Sequence, residues 1–426
     1  MPDHRAPRRV VILDDDPTGT QTSSDVEVLL EASEENAEWF AESGERSCFV
    51  LTNSRSLSRA EAVSTVRQMS QIVGGALDRQ GIPHVFLLRG DSTLRGHVFA
   101  EIDAIARKGS VTLFVPAFPE GGRITLDGVH FLRTSEGVIP VARTEYASDP
   151  EFGYSSTKVV DWVAEVGDGR PAVSLPYQAL RSSGPELVAR ALIDASSGGV
   201  VVPDAENRGD LIIIRDGLLA AEAERPVQVR SAATFASLYA GLESRMVSSP
   251  QVSDADGPVL VVCGSFTTGA TSQIGRVIET FQPPVLEVAV SAVANSDPDE
   301  VGHRVAVEAR RQLENEDLLV LMTPRELQLT ENNIETGARL MTALTTAVGR
   351  VAGHVRAVVA KGGITSAEVA KRGFGIRRAR VVGQIDVGIP LWELEPRRGR
   401  VIPYVVVPGN VGDEEAILRI LQRLGV

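Results

Sequence analysis

Cysteine is scarce in this chain, with only Cys48 and Cys263 among 426 residues. The two lie far apart without metal-ligating or redox spacing, so two core thiols in a reducing compartment are expected and a disulfide is not. A surplus of basic charge is also missing. Lys and Arg number 43 against 56 Asp and Glu, a formal net charge of -13. That balance argues against nucleic acid and anionic membrane as partners, although local arginines can still serve a small anion. No apolar run approaches a membrane span and the first residues carry no apolar signal core, so a cytoplasmic protein is expected. Neither a Walker A loop nor a GxGxxG fingerprint occurs.

Apolar residues make up 43% and charged residues 23%, the profile of an ordinary soluble globular protein. The length exceeds one ordinary core, so two domains are expected. Residues 247–258 are rich in turn formers and lack periodicity, and they read as a linker between a domain at 1–246 and a second at 259–426. Strand-like runs alternate with helical patterns in both halves. The fold class is therefore α/β, with two domains, each a mostly parallel sheet flanked by helices.

The N-terminal half repeats one pattern. Residues 10–13 read as a strand that runs into Asp14-Asp15-Asp16-Pro17-Thr18-Gly19. Residues 48–51 form a second, followed by Thr52-Asn53-Ser54-Arg55 and a helix over about 58–78. Residues 85–88 form a third, leading into Arg89-Gly90-Asp91-Ser92-Thr93-Leu94-Arg95-Gly96-His97. In a parallel sheet such loops lie along one edge, where open α/β sheets bind ligands. Arginines pair with a carboxylate while Asp and Ser hold hydroxyls, so the mixture suits a small polyhydroxylated anion. The alternative is that Asp91 and Ser92 merely cap a helix beginning near Leu94. Residues 200–202 and 211–214 read as further strands, and His97 and His130 as structural histidines more than titrating groups.

The C-terminal half offers Gly264-Ser265-Phe266-Thr267-Thr268-Gly269 after strand 259–263, with a helix near Thr271. Gly362-Gly363-Ile364-Thr365-Ser366 follows strand 357–360, with Lys361 between, and Pro408-Gly409-Asn410-Val411-Gly412-Asp413 follows strand 404–407. Three glycine-containing loops at three strand ends present backbone amides and hydroxyls suited to phosphate, which points to a nucleotide site.

Taken in order, the blocks at 15–19, 54–55, 91–96, 116–119, 122–123, 264–265, 362–366, 388–390 and 408–413 resemble the four-carbon acid sugar kinase family, once a domain of unknown function. The resemblance runs from about residue 10 to residue 420. It implies an N-terminal domain for the acid sugar, a C-terminal domain for ATP, and an active site in the cleft between them. The implied reaction is ATP- and Mg2+-dependent phosphorylation of a hydroxyl on threonate, erythronate, a 3-oxo-tetronate or a related branched acid sugar. The sugar would meet Asp15 or Asp16, Arg55, Asp91, Ser92, Thr93, Leu94 and Arg95. ATP would meet Ser265, Gly362, Gly363, Ile364, Thr365 and Gly409. No residue set identifies the Mg2+ ligands, and a homodimer is an open possibility for the assembly. Arg89 stands where many members carry Lys, Ile364 where many carry Asp or Glu, and Val407 where Lys is frequent. These departures mark a divergent subgroup.

Phosphoryl transfer asks a protein mainly for positioning and charge stabilisation. On this reading Arg55 and Arg95 clamp the substrate carboxylate, and Asp16 or Asp91 holds the reacting hydroxyl or accepts its proton. Two alternatives remain at this level: a ribokinase-like sugar kinase with Asp413 as base, and a non-catalytic protein that binds the acid sugar and nucleotide.

Overall fold

The computed structural model describes residues 8–134, 137–248, 250, 257–325, 333–396, 400–409 and 411–426. Residues 1–7, residues 249 and 251–256 of the expected linker, and Asn410 lie outside the described residues. Packing divides the chain into two units: residues to Thr22 with Glu31–Glu243, and Ser23–Leu30 with Ser244–Val426. The expected first domain, 1–246, is therefore interrupted, because residues 23–30 pack with the second unit.

In chain order the first half holds β1 (Arg9–Asp14), β2 (Val26–Leu29), β3 (Ser47–Leu51), β4 (His84–Arg89) and β5 (Val111–Val115). There follow β6 (Arg123–Leu126), β7 (Val129–Thr134), β8 (Gly137–Pro140), β9 (Ala172–Leu175), β10 (Val200–Pro203) and β11 (Val227–Ser231). All but β2 belong to the first unit. Its main sheet runs β3-β1-β4-β11-β5-β10-β9, with every pair parallel. Strands β3, β5 and β10 are buried throughout, as in a parallel sheet covered on both faces. Asp14 stands level with Leu51 on one side and Arg89 on the other, which brings the loops after β1, β3 and β4 to one edge. Strands β6, β7 and β8 form a separate antiparallel meander, in a stretch whose sequence shows little periodicity.

Local chemistry sets the helices. Ser58 and Glu61 form a reciprocal capping box that starts the helix Arg59–Arg79. Asn207 and Asp210 form another, and this one corrects the sequence reading. Residues 211–214 are not a strand but the second turn of the helix Arg208–Ala221. A four-residue apolar run fits either element, and the cap upstream decides. The helix expected near Leu94 starts later, at Val98.

The second unit adds β12 (Val259–Cys263), β13 (Val285–Glu287), β14 (Leu318–Met322), β15 (Ala357–Lys361), β16 (Arg378–Asp386), β17 (Ile389–Leu394) and β18 (Ile402–Val407). Strands β13-β14-β12-β15-β18 are parallel. The sheet then continues antiparallel through β17, β16 and β2. Gly388-Ile389-Pro390 lies at the hairpin between β16 and β17, with Gly388 at φ 70°. Strands β12 and β15 are buried throughout and pack with Ile274, Val277, Ile417, Ile420 and Leu421 from the covering helices. Both cysteines are buried free thiols. Among the described residues no helix is long and apolar enough to cross a membrane.

Candidate active site

The edge after β1, β3 and β4 carries a buried ionic cluster. The Arg55 guanidinium makes an ion pair with Asp16 and lies 3.4 Å from Asp91 Oδ1. On the other Asp91 oxygen, Arg95 Nε donates at 2.8 Å and the Thr93 hydroxyl also donates. Asp16 Oδ1 accepts the Thr18 amide at 2.8 Å. Thus Asp16, Arg55, Asp91, Thr93 and Arg95, drawn from three loops, form one connected group. Deeper in, Arg89 Nη1 donates to Asp14 Oδ1 at 3.1 Å and lies 3.5 Å from Asp15 Oδ1. Arg230 from β11 pairs with Asp15 at 3.3 Å and with Glu101, whose other oxygen accepts the Ser54 hydroxyl.

Burial and neighbouring charge sort the three adjacent carboxyls. Burial pushes Asp14 up to about 7, since Arg89 only partly offsets the lost hydration and Asp15 and Asp16 add repulsion. Burial also raises Asp15, against the pull of Arg55, Arg230 and Arg89. For Asp16 burial acts upward too, but Arg55, Arg89 and the Thr18 donors outweigh it and hold the carboxyl below its ordinary value. Asp91 is buried as well, yet Arg95, Arg55 and the Thr93 donor carry it far below. The two carboxylates that form ion pairs with Arg55 are therefore the two held below their ordinary value.

The 91–96 loop is shaped from behind. Leu94 sits at φ 70°, uncommon for a residue with a side chain, and is hydrophobic and buried. His130 Nε2 lies 2.8 Å from Ser92 O, its Nδ1 lies 2.9 Å from Thr125 Oγ1, and the Tyr154 hydroxyl donates to Thr93 O at 3.0 Å. Burial lowers His130 to about 4, so it is a neutral brace for the loop. His97 bonds to Leu57 O at 2.8 Å. Both histidines are structural here.

In the second unit the loops after β12, β15 and β18 meet. Thr267 caps the helix Thr268–Phe281 and its hydroxyl donates to Gly409 O at 3.2 Å. A Cβ on Gly264 would fall 2.3 Å from Thr365 Oγ1, and one on Gly362 would fall 3.1 Å from Ser265 Cβ. Gly362 is at φ 108°, a second reason for glycine. Gly409 lies with its Cβ direction 3.6 Å from Ser265 Oγ. Ser265, Gly362, Thr365 and Gly409 are thus neighbours, Gly363 opens the helix Gly363–Glu368, and Ile364 is exposed. Lys361, level with Val407, is fully buried, and its Nζ donates to Pro408 O at 2.7 Å. Burial lowers it to about 8. Arg325 braces the first loop by donating to Ser265 O at 2.7 Å. Asp413 is held by Arg419 at 2.8 Å and accepts the Glu415 amide at 3.1 Å.

Arg230 and Glu101 belong to the ionic cluster and were not singled out from the sequence. The signal was present for Arg230, a charge inside the otherwise strand-like Val-Gln-Val-Arg-Ser. For Glu101, on a helix face, nothing local distinguished it.

Residues 10–239 match the family model described as a sugar-binding N-terminal domain, and residues 260–417 match the one described as a nucleotide-binding C-terminal domain. The chain is 28% identical over 391 residues to a D-threonate kinase of Bordetella bronchiseptica, covering 88% of this chain and 85% of the relative. It is 32% identical over 173 residues to a D-erythronate kinase of Heliobacterium modesticaldum, covering 39% and 37%. In fold it is similar to a Salmonella typhimurium LT2 structure named as a tRNA synthase, with a TM-score of 0.69, 17% identity and coverage of 97% and 98%. A Haemophilus influenzae structure of domain-of-unknown-function family 1537 aligns with a TM-score of 0.61, 16% identity and coverage of 97% and 99%. With a sugar-binding and a nucleotide-binding model matched in series along its length, the chain belongs to the four-carbon acid sugar kinase family.

Proposed function

We propose that this phosphotransferase moves the γ-phosphoryl group of ATP to a hydroxyl of a small acid sugar, of the threonate, erythronate, 3-oxo-tetronate or branched type. The observation that carries the reading is the cluster of Asp16, Arg55, Asp91 and Arg95 at one parallel-sheet edge, in a unit whose family model is sugar-binding. Arg55 and Arg95 supply planar donors for the substrate carboxylate. Asp16 or Asp91, both ionised, accepts a hydrogen bond from the reacting hydroxyl and aims it. Carboxylates held so low are weak bases, which suits a loose phosphoryl-transfer transition state that asks for positioning more than proton abstraction. Asp15, Ser92, Thr93 and the Leu94 backbone complete the sugar site.

For the nucleotide, the glycines at 264 and 362 let their loops approach each other closely beside Gly409, and the loop amides with the Ser265 and Thr365 hydroxyls suit phosphate. Gly363 and Ile364 extend that surface. Among the described residues no group of three or more His, Cys, Asp or Glu side chains is disposed to hold a metal ion. Mg2+ would come with the ATP phosphates, which supply several of its ligands in such sites, and would neutralise their charge. A cytoplasmic location and a homodimer remain part of the proposal.

The test is ADP release with Mg-ATP across a panel of four-carbon acid sugars, their 3-oxo forms and branched analogues. A single strong responder is the expected result. No ADP above background with any member, from folded protein that binds ATP, would overturn the reading.

A further inference from the structure

The Arg95 guanidinium carries two carboxylates, and they are held unequally. Asp91 takes Nε at 2.8 Å and is fixed in turn by Thr93 and Arg55. Asp149 takes Nη1 at 3.4 Å, and both of those side chains are 22% exposed. Asp149 belongs to a different segment, the turn that also sets the Tyr146 ring 5.0 Å from Arg95 Cζ. Only half of the Asp149 carboxylate is committed to that turn. Its Oδ1 accepts the amides of Glu151 and Phe152 at 3.0 and 3.1 Å, and its Oδ2 faces Arg95.

A carboxylate binds a guanidinium best through two parallel donors. Nε of Arg95 is taken by Asp91, which leaves the end-on face of the two Nη groups for an incoming acid. Asp149 contacts that face at Nη1. Of the two carboxylates on Arg95 it has the longer contact and the more open surroundings, so it is the one placed to yield.

We propose that Asp149 is a competing carboxylate, displaced from Arg95 by the substrate acid, and that it thereby sets acid-sugar affinity from outside the Asp-Ser-Thr-Leu-Arg loop. The inference rests on the acid sugar kinase reading above. It carries an unusual sign. Removing an ordinary binding residue raises KM, whereas removing a competitor lowers it.

Asp149→Asn keeps an acceptor for the Glu151 and Phe152 amides while removing the charge. Asp149→Ser, whose hydroxyl can accept the same amides, is the second variant. Steady-state kinetics with the responding acid sugar should show KM falling about fivefold, the scale of one partly exposed ion pair. The value of kcat and the KM for ATP should change little. A neutral four-carbon polyol used as a competitive inhibitor should gain nothing. If the wild type turns over an acid sugar and both folded variants keep or raise its KM, the role of Asp149 is overturned and the kinase reading stands. If the wild type neither turns over nor binds any acid of the panel, both are overturned together.

Discussion

Arg230 faces Asp15 across 3.3 Å with both side chains 1% exposed, and its other terminal nitrogen holds Glu101. Gly90 makes the space, since a Cβ there would fall 2.3 Å from Arg230 Nη2. Taking one partner from a buried ionic group leaves the others charged without compensation. Arg230→Met should therefore destabilise the first unit by about 3–5 kcal/mol, read as a lower midpoint in urea unfolding. A loss under 1 kcal/mol would mean that Asp15 and Glu101 reorganise without it.

The two ligand sites should come apart by mutation. Arg55→Ala removes the cation shared by Asp16 and Asp91, and the acid-sugar KM should rise at least about thirtyfold, as for loss of a buried charged partner. ATP affinity, followed by fluorescent-nucleotide titration, should be nearly unchanged. Equal loss of ATP binding would sink the assignment of Arg55 to the sugar.

Gly362→Ala should do the reverse. The added methyl meets Ser265 at 3.1 Å in a backbone conformation that disfavours a side chain. ATP affinity should drop about tenfold or more, the scale of one misplaced set of contacts at a tight loop. Acid-sugar binding measured by calorimetry should be retained.

Stability should carry a pH signature from Asp14. Its carboxyl is raised from 3.8 to about 7 in the folded chain, so between those values the folded state binds more protons than the unfolded. Stability from this group is full below about 4 and is lost as pH rises toward 7. The stability of the wild type relative to Asp14→Asn should thus decline over that range and level off above it. Urea titrations at several pH values read the difference. His130, lowered to about 4, acts with the opposite slope between 4 and its ordinary 6.5, which is why the comparison with a variant is needed.

Asp413→Asn should leave turnover intact. Its carboxylate is occupied by Arg419 and by the Glu415 amide at the entry to the last helix. Near-total loss of kcat would instead favour Asp413 as the base of a ribokinase-like mechanism.

Much of the ionic cluster was legible because its loops follow buried apolar strands, and a parallel sheet brings such loops to one edge. That rule singled out the loops carrying Asp16, Arg55, Asp91 and Arg95, and the family resemblance singled out those residues within them. Arg230 and Glu101 were not singled out, because their partners lie 215 and 129 residues away and no local pattern encodes those distances. Residues 211–214 misled because four apolar residues fit a strand, whereas the Asn207–Asp210 cap had already begun a helix. The β6-β7-β8 meander left no clear periodicity, since β6 is mostly buried, β7 buries only His130 and β8 buries none of its residues. In the second unit the glycine loops were visible. The antiparallel β18-β17-β16-β2 run was not, as its last strand comes from the other half of the chain.

That last strand has a consequence for synthesis. Val26 in β2 stands opposite Val381 in β16, so the first-made strand of the second unit waits for one of its last. A domain emerging from a ribosome at about 5–20 residues per second would carry residues 23–30 without this partner for tens of seconds. Closing so long a loop costs little more than closing a shorter one, but a strand edge without its partner is open to other chains meanwhile. Expressing residues 244–426 alone would create the converse state permanently, with the β16 edge left bare of β2.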